Sequence, residues 1–250
     1  MLTLVGWYRS VDPAGAFTTL NAMADPHVTV SGTDILVPDL KQLVMAAGYV
    51  DYTVAPQMRL SSPSLLEDGF QEYIAMLMSG VVSGAQHRVH DRSQNPVELS
   101  QVEALQAWVL SDPAAAAAHY GFAWLADAAL VPSLGKVRTV RATAAITLSA
   151  GVWTNGALTF PVSLKAGKYQ VVGMRVQSAN LVAARLVFPG MAWRPGCLGC
   201  AAGTTNEWPD FRNGGMGVWG EFMHSSPPTI DMTGATDTAE EVFLDLVYVG

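Results

Sequence analysis

Few residues in this 250-residue chain have the type and spacing for chemistry, and they are quickly enumerated. Cys197-Leu-Gly-Cys200 has the spacing of half a zinc site. Zinc takes about four ligands, and the sequence has no second cysteine pair to complete a tetrahedral set. A thioredoxin-like reading requires a βαβ context, whereas this pair lies in a Gly/Pro-rich stretch, which predicts a plain loop. His87, His90 and Asp91 lie within five residues of one another, and Glu221 and His224 lie far downstream. On a strand, positions 87 and 90 point to opposite faces, so they chelate poorly without a bulge. Cys197, Cys200, His87 and His90 are therefore weak metal candidates, and no metal, cofactor or catalytic residue is predicted.

Other enzyme signatures fail on spacing. Gly80-Val-Val-Ser-Gly84 misses the Gly-x-Ser-x-Gly nucleophile elbow by one residue. Gly215-Met-Gly-Val-Trp-Gly220 matches Gly-x-Gly-x-x-Gly, but that fingerprint needs a strand before it and a helix after it. Here a strand-like Val-Trp-Gly-Glu-Phe runs through the motif, so a tight turn or bulge is expected. Seven tryptophans, at 7, 108, 124, 153, 193, 208 and 219, could line a sugar-binding face. Filling a core or subunit contacts is the alternative use of such large aromatic area.

The elements that must position these residues are short Val, Ile, Leu, Thr and aromatic runs punctuated by glycine and proline, the pattern of a sandwich or barrel. Candidate strands include 27–31, 35–38, 42–50, 57–61, 72–78 and 86–90 in the first half. In the second they include 137–142, 145–149, 158–160, 169–176, 182–188, 216–223 and 242–249. Two stretches differ. Val102, Leu105, Trp108 and Val109 have helical spacing, and Ser111-Asp112-Pro113 before five alanines resembles an N-cap, a first-turn proline and a strong helix former. A short helical insertion is therefore expected near 99–118.

The halves echo each other in order, at offsets of roughly 118 to 132 residues. Val28-Thr-Val-Ser31 is matched by Ile146-Thr-Leu-Ser149, Leu43 to Val50 by Tyr169 to Val176, and Gln57 to Pro63 by Ala183 to Pro189. Asn95 to Ser100 is matched by Pro227 to Met232, and Phe122 to Asp127 by Val242 to Asp245. Duplication places a boundary near Val131-Pro-Ser-Leu-Gly135, giving domains 1–134 and 135–250.

Bulk properties restrict the function. Half the residues are hydrophobic and 14% are charged, against about 25% for an average soluble domain, so surface hidden against copies of the same chain is expected. A formal charge of −7 argues against a groove that neutralises many phosphates, and no specific nucleic-acid binding is expected. The start, Met1 to Arg9, lacks the form of a signal peptide, and no run reaches the ~18 apolar residues of a membrane span. Two cysteines cannot supply a disulfide framework, which fits an intracellular assembly site.

The strings Ala166-Gly-Lys-Tyr-Gln-Val-Val-Gly-Met-Arg175, Ala183-Ala-Arg-Leu-Val-Phe-Pro-Gly190, Trp193-Arg-Pro-Gly196, Gly217-Val-Trp-Gly-Glu-Phe222, Pro227-Pro-Thr-Ile-Asp231 and Glu241 to Val247 resemble the virion proteins of small tailless bacteriophages. Leu36-Val-Pro-Asp39 and Arg59 to Leu65 extend the resemblance into the first half. It implies an all-β fold of two jelly-roll sandwiches in tandem, a double jelly roll. It further implies a major capsid protein whose homotrimers form pseudo-hexameric capsomers of an icosahedral shell. The implied partners are the chain itself, minor capsid or vertex proteins and an internal lipid membrane. The implied location is the virion, assembled in the host cytoplasm. A structural, non-enzymatic protein is thus expected, with a carbohydrate-binding spike or lectin-like sandwich as the alternative. A cupin-type enzyme would need His87, His90, Glu221 or His224 to converge on one metal.

Overall fold

A computed structural model describes residues 1–36, 40–51, 56–67, 72–78, 89–113, 115–129, 135–178, 180–199, 217–235 and 240–250. The described chain is all-β. In chain order its first strands are β1 (Leu2–Val11), β2 (Thr18–Thr19), β3 (Asn21–Ala22), β4 (Thr29–Ser31), β5 (Asp34–Leu36), β6 (Gln42–Val50) and β7 (Gln57–Ser61). A short helix, α1 (Pro63–Glu67), then precedes β8 (Glu72–Ala75), β9 (Leu77–Met78), β10 (His90–Asp91), β11 (Val97–Glu98), β12 (Ala104–Leu110) and β13 (Ala117–Ala126). The later strands are β14 (Val137–Ala144), β15 (Thr154–Ala157), β16 (Lys168–Gln177), β17 (Leu181–Val187), β18 (Gly196–Leu198), β19 (Gly220–Met223), β20 (Thr229–Gly234) and β21 (Glu240–Tyr248).

Val5–Ala128 form one compact unit; Met1–Leu4 and Ala129–Gly250 form a second. The domain boundary expected at 131–135 falls, apart from Gly135, outside the described residues. Met1–Leu4 group with the second unit because Leu4 N–H donates to the Arg194 carbonyl at 2.8 Å, and Arg194 N–H donates to Thr3 Oγ1 at 3.2 Å.

Each unit contains two sheets. In the second, one sheet runs β14-β21-β16-β19 and the other β15-β20-β17-β18, all pairs antiparallel. Numbered by chain order within the unit, these are strands 1-8-3-6 and 2-7-4-5. Eight strands of the first unit follow the same scheme, with β1-β13-β6-β10 in one sheet and β5-β12-β7-β8 in the other; β3 extends the first beyond β1 and β4 the second beyond β5, while β9 (parallel) and β11 also pair with β6 and β2 with β12.

The central strands are apolar on both faces, as β6 and β16 illustrate, where all residues from Leu43 to Gly48 and from Val171 to Met174 are buried. Tyr120 anchors the first unit's core, 4.8 Å from Tyr8 and 6.0 Å from both Tyr49 and Phe122 between ring centroids. Gly48 and Gly121 face each other across β6 and β13. A Cβ on Gly121 would lie 2.8 Å from Met58 Sδ, and one on Gly48 2.7 Å from Met76 Cγ, so this glycine pair makes room for two methionines.

The expected helical insertion at 99–118 is corrected to strand. β12 buries Leu105, Ala107 and Val109 in strict alternation, and β13 begins at Ala117 within the supposed alanine helix. Leu105 and Val109 fit a helical stripe and a two-residue period equally well. Cross-strand pairing with β5 and β7 selects the strand, and burial between neighbouring strands overrides alanine's helix propensity.

Candidate functional site

Of the residues singled out for chemistry, His90 belongs to the first unit and Cys197, Glu221 and His224 to the second. Cys197 lies in β18 opposite Ala184, not in a loop, and is 1% exposed. Flanking bonds from Leu186 N–H to the Pro195 carbonyl and from Gly199 N–H to the Val182 carbonyl, each 2.8 Å, continue that ladder. There its thiol packs as a small apolar group. Cys200, His87, Trp208, Gly215 and the Gly80–Gly84 near-elbow lie outside the described residues. Gly217 adopts φ +73° just ahead of β19, so its glycine motif enters a strand.

His90 is half-buried on β10 opposite Ala46 in the first unit. Glu221 and His224 belong to the second unit and have other partners. Glu221 forms an ion pair with Lys168 and accepts from Gln170 Nε2 at 2.8 Å, and together these hold its carboxyl below the usual range. His224 Nδ1 accepts from the Gly167 N–H at 3.1 Å. Among the described residues, no three His, Cys, Asp or Glu side chains are grouped to hold a metal ion. Trp7, Trp124 and Trp219 are fully buried. Trp108 and Trp153 are half-buried beneath the guanidinium groups of Arg59 and Arg185, at 5.0 and 4.2 Å.

Two arrangements in the second unit were missed from the sequence. The first is internal. Arg185 of β17 is 0% exposed; its Nε lies 3.1 Å from Asp231 Oδ2, and its Nη1 donates to the Leu4 carbonyl at 3.1 Å. Asp231 Oδ1 also accepts from Asn155 Nδ2 at 2.8 Å. The hint was a lone arginine in the apolar run Ala183 to Phe188.

The second arrangement is an open cleft of about 670 Å³ beside β14. Lys136, Arg138 and Arg141 line one wall, Pro161 to Lys165 the other, with Tyr169, Leu246 and Tyr248 between them. Arg141 is a solvent-exposed partner of Glu241, with Nη2 to Oε1 at 2.6 Å; the bond holds the Glu241 carboxyl below its ordinary range and raises the guanidinium. Lys165 Nζ sits 4.5 Å above the Tyr248 ring, whose hydroxyl donates to the Ala166 carbonyl at 3.1 Å. Tyr169 donates to the Lys165 carbonyl at 2.8 Å, fixing that wall. Lys136, Arg138 and Lys165 have no carboxylate partner among the described residues. The lining thus offers positive charge and aromatic faces, suited to ion pairing and stacking. In sequence the signal was Lys136-Val-Arg138-Thr-Val-Arg141, cations repeated along one edge strand.

No family model matches the chain, and no curated protein matches it. Among solved structures it is similar to the major capsid protein P2 from bacteriophage PM2, at 11% identity over 100% of this chain and 98% of that one. The TM-score of 0.28 does not establish a shared fold.

Proposed function

We propose that this chain is a structural virion protein, a double jelly-roll major capsid protein that self-assembles as pseudo-hexameric homotrimers into an icosahedral shell. The observation that carries this reading is the strand order 1-8-3-6 and 2-7-4-5 of the second unit, which β1, β5 to β8, β10, β12 and β13 follow in the first once its short strands β2, β3, β4, β9 and β11 are set aside. Eight strands wound into two Greek keys across two four-stranded sheets define a jelly roll, a fold used by capsid and lectin domains and by cupins. The recurrence of that strand order in both units supports a duplicated shell subunit over a single ligand-binding module. Composition agrees: with 14% charged residues, the chain is suited to burying surface against copies of itself. Obligate interfaces bury on the order of 2,000 Å² or more and resemble a core cut in half.

On this reading the partners are copies of the chain, minor capsid or vertex proteins and an internal lipid membrane. The location is the virion, after assembly in the host cytoplasm, and the chain performs no catalytic step. The carbohydrate-binding alternative asks for a row of exposed tryptophans. Among the described residues Trp7, Trp124 and Trp219 are buried and Trp108, Trp153 and Trp193 half-buried, which favours the shell.

Negative-stain electron microscopy of the purified protein, with its sedimentation profile, tests the proposal. Trimers or regular shells are expected. A monomer at every concentration and salt would overturn it.

A further inference from the structure

The two units differ at one equivalent edge. In the first, the outer edge of β1 is covered by β3, with Trp7 opposite Ala22 and Tyr8 opposite Asn21, and by the 2.9 Å bond from Met23 N–H to the Gly6 carbonyl. In the second, the corresponding strand is β14. Among the described residues its outer edge is met only at Thr143, whose N–H and carbonyl bond Thr159 at 2.9 and 2.8 Å.

That double bond fixes the direction of every other peptide group. β14 pairs with β21 without a register shift, so Thr139 and Arg141 present N–H and C=O outward as Thr143 does. Val137 shares this orientation. Among the described residues no hydrogen bond meets these outward groups. An open row of donors and acceptors is a template for an added strand. Lys136 and Arg138 are exposed on the same stretch, and the cleft they line carries Lys165.

We propose that the outer edge of β14 from Val137 to Arg141, with the adjoining cationic cleft, receives an extended acidic segment from a second copy of this chain. The inference rests on the assembly reading and says which surface that assembly uses. Charge selects the occupant: 21 acidic residues against 14 basic give each copy a net charge of −7, complementary to cations that have no carboxylate partner among the described residues. Strand addition supplies the backbone bonds. Lys136 and Arg138 would meet the acidic side chains of the incoming strand as cross-strand neighbours.

Hydrogen exchange on the wild-type chain, dissociated and assembled, tests this without a variant. The amides of Val137, Thr139 and Arg141 are expected to exchange at least about tenfold more slowly after assembly. Equal rates in a chain that assembles would overturn this proposal and leave the shell reading standing. A chain that never assembles would overturn both. The paired variant Lys136→Glu/Arg138→Glu is expected to need about tenfold more protein to assemble, with its melting temperature unchanged. Assembly at the wild-type concentration would overturn the charge argument. Protection of the three amides on adding phosphatidylserine vesicles, but not on assembly, would assign the edge to a lipid surface and overturn it as well.

Discussion

Arg185 and Leu4 are 181 residues apart in sequence, yet Arg185 Nη1 donates to the Leu4 carbonyl at 3.1 Å in a fully buried setting. The first residues of the chain are thereby held by a strand of the second unit. Arg185→Met removes that bond and leaves Asp231 buried with Asn155 as its one remaining side-chain partner among the described residues. A loss of about 3–5 kcal/mol is expected, as for other broken buried ion pairs. Urea unfolding measures it. The double variant Arg185→Met/Asp231→Leu should recover much of the loss, because no orphaned charge remains. Arg185→Lys should recover little, since an ammonium cannot reach Leu4 and Asp231 while lying flat over Trp153.

Two glycines of similar appearance should respond differently to alanine. At Gly121 the new methyl would meet Met58 Sδ at 2.8 Å, an atom of an unbranched side chain that can turn aside. A loss of about 1–3 kcal/mol is expected. At Gly196 it would meet the Ala184 carbonyl oxygen, part of the ladder that pairs β18 with β17. Backbone cannot move without breaking that pairing. Gly196→Ala should therefore lower the urea midpoint further than Gly121→Ala, and equal midpoints would contradict this account.

The strands legible in the sequence were those with an apolar run or a two-residue alternation of apolar and polar residues. Gln42–Val50 and Gln57–Ser61 form as expected, and Tyr169–Val176 lies inside β16. The echo between halves is uneven. Leu43–Val50 and Tyr169–Val176 occupy the same sheet position, as do the Gln57 and Ala183 strings and the Phe122 and Val242 strings. Asn95–Ser100 contains β11, which pairs with β6, whereas its supposed match holds β20, which pairs with β17, so that echo joins unlike strands. Ile146–Ser149 forms no strand at all. What remained hidden is pairing information. The Ala-rich start of β13 has helical propensity, and only its neighbours β6 and β1 make it a strand. The cationic cleft was hidden for the same reason, because Lys136 and Lys165 line one cleft only after the sheet forms.

Val102 has φ +64°, an uncommon conformation for a β-branched residue, and is 62% exposed, so no packing compensates. It immediately precedes Glu103, whose Oε2 accepts from Ser64 Oγ at 2.5 Å and from Ser100 N–H at 3.2 Å. The turn thus places a buried carboxylate over α1. Val102→Asn keeps the left-handed turn at lower steric strain and should stabilise the fold by about 1 kcal/mol. Thermal melting checks this. An unchanged or lower midpoint would mean that the valine is not strained there.

Stability should fall with acid in two separate steps. His119 is fully buried, and its Nδ1 lies 2.9 Å from the Ala117 carbonyl, which only accepts, so Nδ1 carries the proton and Nε2 accepts from Ser111 Oγ at 2.7 Å. Burial lowers the affinity of this ring for a second proton, outweighing the Ala117 carbonyl and the charge of Asp12. The unfolded chain therefore binds the proton first, and stability present above about pH 6.5 declines as pH falls below it. Glu221 and Glu241 are depressed by Lys168 and Arg141, so their contribution is full above the ordinary glutamate value and disappears as pH falls through their lowered folded values. Solvent screens both pairs, so this second step is the shallower of the two for each group. Urea midpoints measured across the acid range should show the upper step vanish in His119→Gln and the lower one weaken in Glu221→Gln/Glu241→Gln. A profile that keeps its upper step in His119→Gln would place the responsible proton on another group.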